Sequence, residues 1–232
     1  MRGLRILILL WPLAACGNTT GADVLRAAVW PIPLPASLFA PSDPLPEGRW
    51  EAAEATAEPG ETALALTLGS RRGLARLTQA EGERRMWRTP GGVVVATDGP
   101  RVVATAGLRQ ILAATRFDGG TDPLLRLPEI GEASLRSARV IDVMRSASDP
   151  ARMRFGLRLD CRLHAAPPPA EDTLLFVENC RGAARFTNRF WADARSHAVF
   201  RSEQWVGDDL PPLVVEVVGA PPPPEAVITL PR

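Results

Sequence analysis

The chain has 232 residues, 27 basic and 26 acidic side chains, and a formal net charge of +1. So even a balance leaves no bulk basic field to gather nucleic acid. Every basic residue is Arg, and both Lys and Tyr are absent. That excludes a Schiff-base lysine, a pyridoxal attachment, a P-loop lysine and any tyrosine acid, base or nucleophile.

Residues 1–15 read as a signal peptide. Arg2 and Arg5 form a positive start, and the apolar run from Ile6 has the length of a signal h-region. A spanning helix needs about 20 residues, which this run does not supply. Leu13-Ala14-Ala15-Cys16 resembles the bacterial lipobox. The resemblance implies cleavage before Cys16, a diacylglyceryl group on its thiol and an acylated amine, so that two or more chains anchor the protein. Gly17 stands where an Asp would retain an enteric-type lipoprotein in the inner membrane, and so points to the outer membrane. Removing residues 1–15 leaves 217, enough for one domain with a real core.

Residues 16–60 read as a lipid-anchored, proline-rich tether. Pro31, Pro33, Pro35, Pro41, Pro44 and Pro46 exclude a helix there. The segment is either a stiff spacer or an extended stretch lying on the domain. Helical turns are expected over 22–29 and 51–58.

From residue 61 to 232 the pattern is β. Strand candidates run over 62–68, 74–79, 84–89, 93–97 and 101–105. Pro100 lacks the N–H expected to close an Asp98-Gly99 turn, so a longer loop is expected there. A short helix is expected over 107–114, a loop over 117–129 and a strand over 137–145. The clearest strand is 152–163. Met153, Phe155, Leu157, Leu159, Cys161 and Leu163 fall on one face and Arg152, Arg154, Arg158 and Arg162 on the other. Such alternation predicts a buried face and a wet face in an antiparallel sheet. Pro167 to Pro169 read as a loop. Strands over 173–180, 185–192, 197–206 and 213–218 follow. The fold class is therefore all-β, a large antiparallel meander sheet or open barrel with few short helices.

Cys161 and Cys180 are an even pair in an oxidising compartment, which suggests a disulfide. Its loop of about 20 residues would be worth on the order of 3 kcal/mol; two separate buried thiols are the alternative. No catalytic motif occurs. His164 and His197 with the two cysteines fit no common zinc spacing, so no metal or other cofactor is called for. Glu171-Asp172 and Asp208-Asp209 lie in proline-flanked loops, where solvated turn residues are the default. Arg152, Arg154 and Arg158 are candidate contacts for an acidic polysaccharide or lipid headgroups, because Arg forks bind carboxylate and phosphate bidentately. Among Trp87, Trp191 and Trp205, the last is the best exposed candidate for stacking on a sugar or partner.

Two stretches carry a family resemblance. One is Trp87-Arg88-Thr89-Pro90-Gly91-Gly92-Val93-Val94-Val95-Ala96-Thr97 with Gly99-Pro100-Arg101-Val102-Val103-Ala104-Thr105-Ala106-Gly107-Leu108. The other joins Asn188-Arg189-Phe190-Trp191-Ala192-Asp193, Phe200-Arg201-Ser202-Glu203-Gln204-Trp205-Val206-Gly207 and Leu210-Pro211-Pro212-Leu213. With the lipobox at Cys16, this order resembles the group 4 capsule polysaccharide lipoprotein family (YjbF/GfcB). The resemblance implies a mostly antiparallel β domain without known catalysis, on an outer-membrane lipoprotein that assists exopolysaccharide or capsule assembly and export. It implies an outer-membrane β-barrel or a periplasmic protein of the same operon as partner. No functional residue carries over except Cys16. An envelope-tethered carbohydrate-processing enzyme or glycan-binding module is the alternative.

The lipobox makes a direct prediction. Mass spectrometry of the mature N-terminus should find an acylated Cys16, and Cys16→Ser should leave the membrane fraction; an unmodified Cys16 inside a longer mature chain would refute it.

Overall fold

The protein is described by a computed structural model over residues 45, 47–50, 61–130, 133–147 and 149–219. The expected signal peptide, most of the expected tether and both expected N-terminal helical turns lie outside these residues.

Twelve strands follow one another: β1 (Ala63–Leu68), β2 (Arg71–Glu81), β3 (Arg84–Arg88), β4 (Val94–Asp98), β5 (Arg101–Ala106), β6 (Ile111–Phe117), β7 (Leu135–Met144), β8 (Met153–Ala170), β9 (Thr173–Gly182), β10 (Phe186–Asp193), β11 (Val199–Gln204) and β12 (Leu213–Val218). They form one antiparallel sheet in the order β5-β4-β3-β2-β1-β12-β11-β10-β9-β8-β7-β6. Its two terminal strands, β5 and β6, are consecutive in the chain, and the Leu112 N–H donates to Thr105 Oγ1 across them at 3.0 Å. The sheet is thus nearly closed into a barrel, and the all-β meander read from the pattern is what forms. The barrel is flattened. Gln204 of β11 accepts the Val102 N–H of β5 at 3.0 Å and donates to the Pro100 carbonyl at 2.8 Å, spanning the interior.

Inward residues alternate along the strands as the period of two requires. Leu64, Leu66, Ala75, Trp87, Val95, Ile141, Leu159, Leu213 and Val215 join the larger apolar cluster. A second cluster sits where the 3₁₀ segment Pro123–Glu129 packs Leu124 and Leu127 against Leu163, Phe176 and Phe190 of β8, β9 and β10.

Four local expectations change. Phe155 is 60% exposed and Met153 only half-buried, because β8 carries a bulge. Ile141 pairs with Leu157 and Val143 with Arg154, so Phe155 and Gly156 together face Asp142. Gly156 has φ +68° and donates its N–H to Asp142 Oδ1 at 2.7 Å. The extra residue resets the alternation, and only Leu157 onward follows the inward phase. Residues 111–117, partly read as helix, form β6, because β7 supplies a long paired edge. The β4–β5 turn is short. Asp98 pairs with Arg101 around Gly99-Pro100, and Gly99 takes φ +55°. Pro100 occupies the second central position, whose N–H the turn does not use. Pro167 to Pro169 lie within β8 in an irregular stretch before Ala170 pairs with Thr173.

Part of the expected tether lies on the domain. The Gly48 N–H donates to the Gly107 carbonyl at 2.8 Å and the Arg49 N–H to the Gly91 carbonyl at 2.7 Å. Leu45 is buried, and Trp50 packs against the larger cluster. This strap demands glycine beneath it: a Cβ on Gly91 would lie 1.6 Å from the Arg49 carbonyl oxygen. Gly91→Ala should therefore detach the strap. Losing two backbone hydrogen bonds at about 1 kcal/mol each predicts a Tm lowered by roughly 4–8 °C. Gly120→Ala, where a Cβ meets nothing within 4 Å, should leave Tm unchanged. Equal Tm values for the two variants would contradict the close approach.

Candidate functional site

The barrel interior holds charged side chains, which are almost never fully buried unless paired. Arg101 is fully buried at the start of β5, next to the buried Val102, and a bulge at Val103 follows them in the pairing with β4. Its guanidinium meets Glu178 of β9 bidentately, Nη1 to Oε2 and Nη2 to Oε1, each at 2.9 Å. It also donates through Nε and Nη2 to Asp122, the residue capping the 3₁₀ segment. Asn188 of β10 donates to Glu178 Oε2 at 2.7 Å and accepts the Trp205 N–H at 2.8 Å. Arg139 of β7 adds a second buried cation, 3.6 Å from Glu178, and donates to Thr115 at 3.3 Å. Its Nε and Nη1 make no hydrogen bond. Phe117 and Phe190 flank Arg101, and Phe186 lies against Arg139.

The proton affinities follow from these neighbours. Burial alone would raise the Glu178 carboxyl, but the charges of Arg101 and Arg139 and hydrogen bonds from Arg101 and Asn188 outweigh it and hold it below the ordinary carboxylate range. Burial likewise works against charge on Arg101, and Glu178 and Asp122 more than offset it. Arg139 is pushed down to about 10 by burial and by the like charge of Arg101, and stays charged at neutral pH. A carboxylate held ionised and saturated by donors is the reverse of a general acid, which needs a raised pKa. The geometry suits a structural tie between β5, β7, β9, β10 and the 3₁₀ segment.

The remaining candidates scatter. Cys16 lies outside the described residues. Cys161 and Cys180 pair directly across β8 and β9 and form a disulfide, with Cα atoms 4.1 Å apart. Glu178 is close to both sulfurs, but the two sulfurs are bonded to each other. Trp205, expected to be exposed, is only 8% exposed and stacks on Phe186 at 4.6 Å and 8°, with its backbone N–H held by Asn188. Trp87 is buried and donates to Thr97 at 3.1 Å; Trp191 lies under the Arg201 guanidinium. Arg154 pairs with Asp208 at 3.3 Å and Arg158 with Asp118 at 2.6 Å. Arg152 is exposed beside the short 3₁₀ turn Pro150–Arg152. Arg152 lines an open hollow with Arg109, Arg145 and Asp209, next to the Arg154–Asp208 pair, whereas Arg158 is engaged with Asp118. His164 and His197 stay apart from each other in half-exposed positions, His197 in the β10–β11 turn at φ +60°.

Two of the concave surfaces among the described residues stand out by their lining. At one barrel end, Leu64, Trp87, Pro100, Phe200, Val215 and Val217 bound an apolar cavity of about 420 Å³. On the outer face of β7, β8 and β9 an open cleft of about 530 Å³ is lined by Arg136, Ala138, Asp160, Arg162, Asn179 and Arg181. Arg136 pairs directly opposite Arg162, and Asp160 lies opposite both Ala138 and Arg181. Arg136 and Arg181 were not singled out by the sequence. The β-alternation places Arg136 on the outer face with Arg162, but the registry of β7 and β9 was needed to join them.

Glu178→Gln should reveal the interior tie. It leaves two buried guanidinium groups facing one partly exposed carboxylate, at a cost of about 3–5 kcal/mol, measurable by urea unfolding. The folded-state pKa of Glu178 is depressed, so its stabilisation is complete above the unfolded carboxylate pKa and fades as pH falls through the folded one. The variant should accordingly lose less stability on acidification than the parent. A variant as stable as the parent at pH 7 would show that the tie contributes nothing.

The fold and sequence have known counterparts. The chain resembles the crystal structure of the hypothetical lipoprotein YmcC from Escherichia coli (K12), at a TM-score of 0.58 and 18% identity, covering 88% of this chain and 98% of that one. At such identity the likeness speaks for the fold alone. No curated protein matches. The family model described as group 4 capsule polysaccharide lipoprotein gfcB, YjbF, matches residues 52–218. That span takes in β1 to β12 whole, with the interior tie and the outer cleft inside it, and the chain belongs to the YjbF family of group 4 capsule polysaccharide lipoproteins.

Proposed function

We propose that the protein is an outer-membrane lipoprotein, held by lipid on Cys16 and facing the periplasm, that supports exopolysaccharide or capsule assembly and export by contact and not by chemistry. Family membership carries this reading. The state of the interior favours it over the enzymatic alternative. The fully buried carboxylate Glu178 is committed to Arg101 and Asn188, and the candidate acidic pairs serve other ends. Asp208 and Asp209 pair with Arg154 and Arg145, and Glu171-Asp172 form the β8–β9 turn. A tethered protein acting by contact raises the effective concentration of its partner at the export site. An outer-membrane β-barrel or a periplasmic protein of the same secretion operon is the partner this role requires.

Deleting the gene should lower or alter secreted polysaccharide without blocking sugar-nucleotide synthesis, and Cys16→Ser should reproduce part of that loss. Unchanged polysaccharide under conditions that express the operon would refute the export role. Turnover of a glycan by the purified domain, abolished by one carboxylate substitution, would establish the enzyme instead.

A further inference from the structure

The outer cleft of β7, β8 and β9 carries a charge pattern that folding does not explain. Arg136 and Arg162 stand directly opposite each other on adjacent strands. Like charges in such pairs, with Cβ atoms about 5 Å apart, are destabilising. Arg181 lies diagonally from Arg162, on the strand beyond, at roughly 7–8 Å. All three side chains are exposed. Arg162 spends its Nε on Ser134 at 2.8 Å, and among the described residues Arg136 and Arg181 make no ion pair or hydrogen bond through their side chains. Among the described residues one carboxylate, Asp160, faces the three guanidinium groups, and it bonds to none of them. Several arginines elsewhere on the surface are matched with acids, as in Arg84 with Asp98, Arg158 with Asp118 and Arg189 with Glu203, and others such as Arg72 and Arg152 stand singly, without a second unpaired arginine directly across the strands. Ala138, two residues along β7 from Arg136 and opposite Asp160, keeps the floor of the cleft low. The Cys161–Cys180 disulfide lies beneath, pinning β8 to β9 and fixing the spacing of Arg162 and Arg181.

We propose that this cleft is a subsite for the carboxylate groups of an acidic polysaccharide. Guanidinium forks bind carboxylates bidentately. Several of them on a rigid sheet meet successive charges of a polyanion with little ordering cost. Asn179, exposed in the same cleft, offers an amide to sugar hydroxyls. The inference rests on the export role proposed above and gives that role a ligand and a place.

The test uses the lipid-free protein, an oligogalacturonate of defined length, a neutral malto-oligosaccharide and vesicles containing phosphatidylglycerol. Calorimetry at low salt should show binding of the oligogalacturonate and none of the neutral oligosaccharide, with affinity falling as salt rises. Arg136→Ser with Arg181→Ser should weaken it at least tenfold, whereas Arg84→Ser, an exposed arginine elsewhere, should not. The Tm of the double variant should hold or rise, since it relieves repulsion; a merely structural role would lower it. Absence of oligogalacturonate binding, equal affinity in the double variant and the Arg84→Ser control, or dependence on these arginines for vesicle binding alone would each overturn the subsite. The deletion strain reads the export role separately. Lost polysaccharide without oligogalacturonate binding sinks only the subsite, and unchanged polysaccharide sinks the export role whatever the cleft binds.

Discussion

The bidentate pair between Arg101 and Glu178 is the constraint around which the barrel interior is organised. A twelve-stranded sheet that nearly closes would enclose more space than its side chains fill unless it flattened. This one flattens, and a polar belt crosses it. Arg101 on β5 reaches Glu178 on β9, while Gln204 on β11 holds the backbone of β5. Through Asp122 the same guanidinium fixes the 3₁₀ segment whose leucines build the second apolar cluster. A buried pair of this kind is weak evidence of net stability, because desolvation offsets its attraction. Its directionality is another matter. It admits one arrangement of β5 against β9, where an all-leucine interior would tolerate several.

Much of this fold is legible in the sequence because the period of two survives along most strands. Where it fails there are specific physical reasons. Phe155 obeys the alternation in sequence and breaks it in space, since the bulge at Gly156 inserts a residue, and the lone glycine inside the strand pattern is its local mark. Leu108 and Leu112 are both buried at a separation of four, which imitates a helix face, yet they belong to a connecting turn and to β6. The interior charges left a trace that could have been followed. Glu178 shares the phase of Phe176 and Cys180, and Asn188 that of Phe186 and Phe190. A charged or amide side chain at an inward position must find a partner. Which partner it finds depends on a contact 77 residues away in sequence, and no local pattern contains that.

The stretches that carry the family resemblance therefore turn out to be mostly interior. Trp87 and Thr97 bond to each other, Thr89 and Val93 close the β3–β4 turn, Asn188 bridges Glu178 and Trp205, and Gln204 spans the barrel. Arg136, Arg162 and Arg181 lie outside those stretches. Those stretches lie on the frame, whereas the outer cleft is written on the solvent face of β7, β8 and β9. That face is free to carry a charge pattern suited to one polymer without disturbing the frame beneath it.

The meander also separates attachment from access. In a sheet where every strand is antiparallel to the next, successive connections alternate between the two barrel ends. The β3–β4 and β5–β6 connections share an end, and these are the loops that receive the strap through Gly91 and Gly107. The β4–β5 and β10–β11 turns share the opposite end and border the apolar cavity beside Phe200 and Val217. The strap thus meets the barrel at one end, the apolar cavity opens at the other, and the arginine cleft lies on the outer face of β7, β8 and β9.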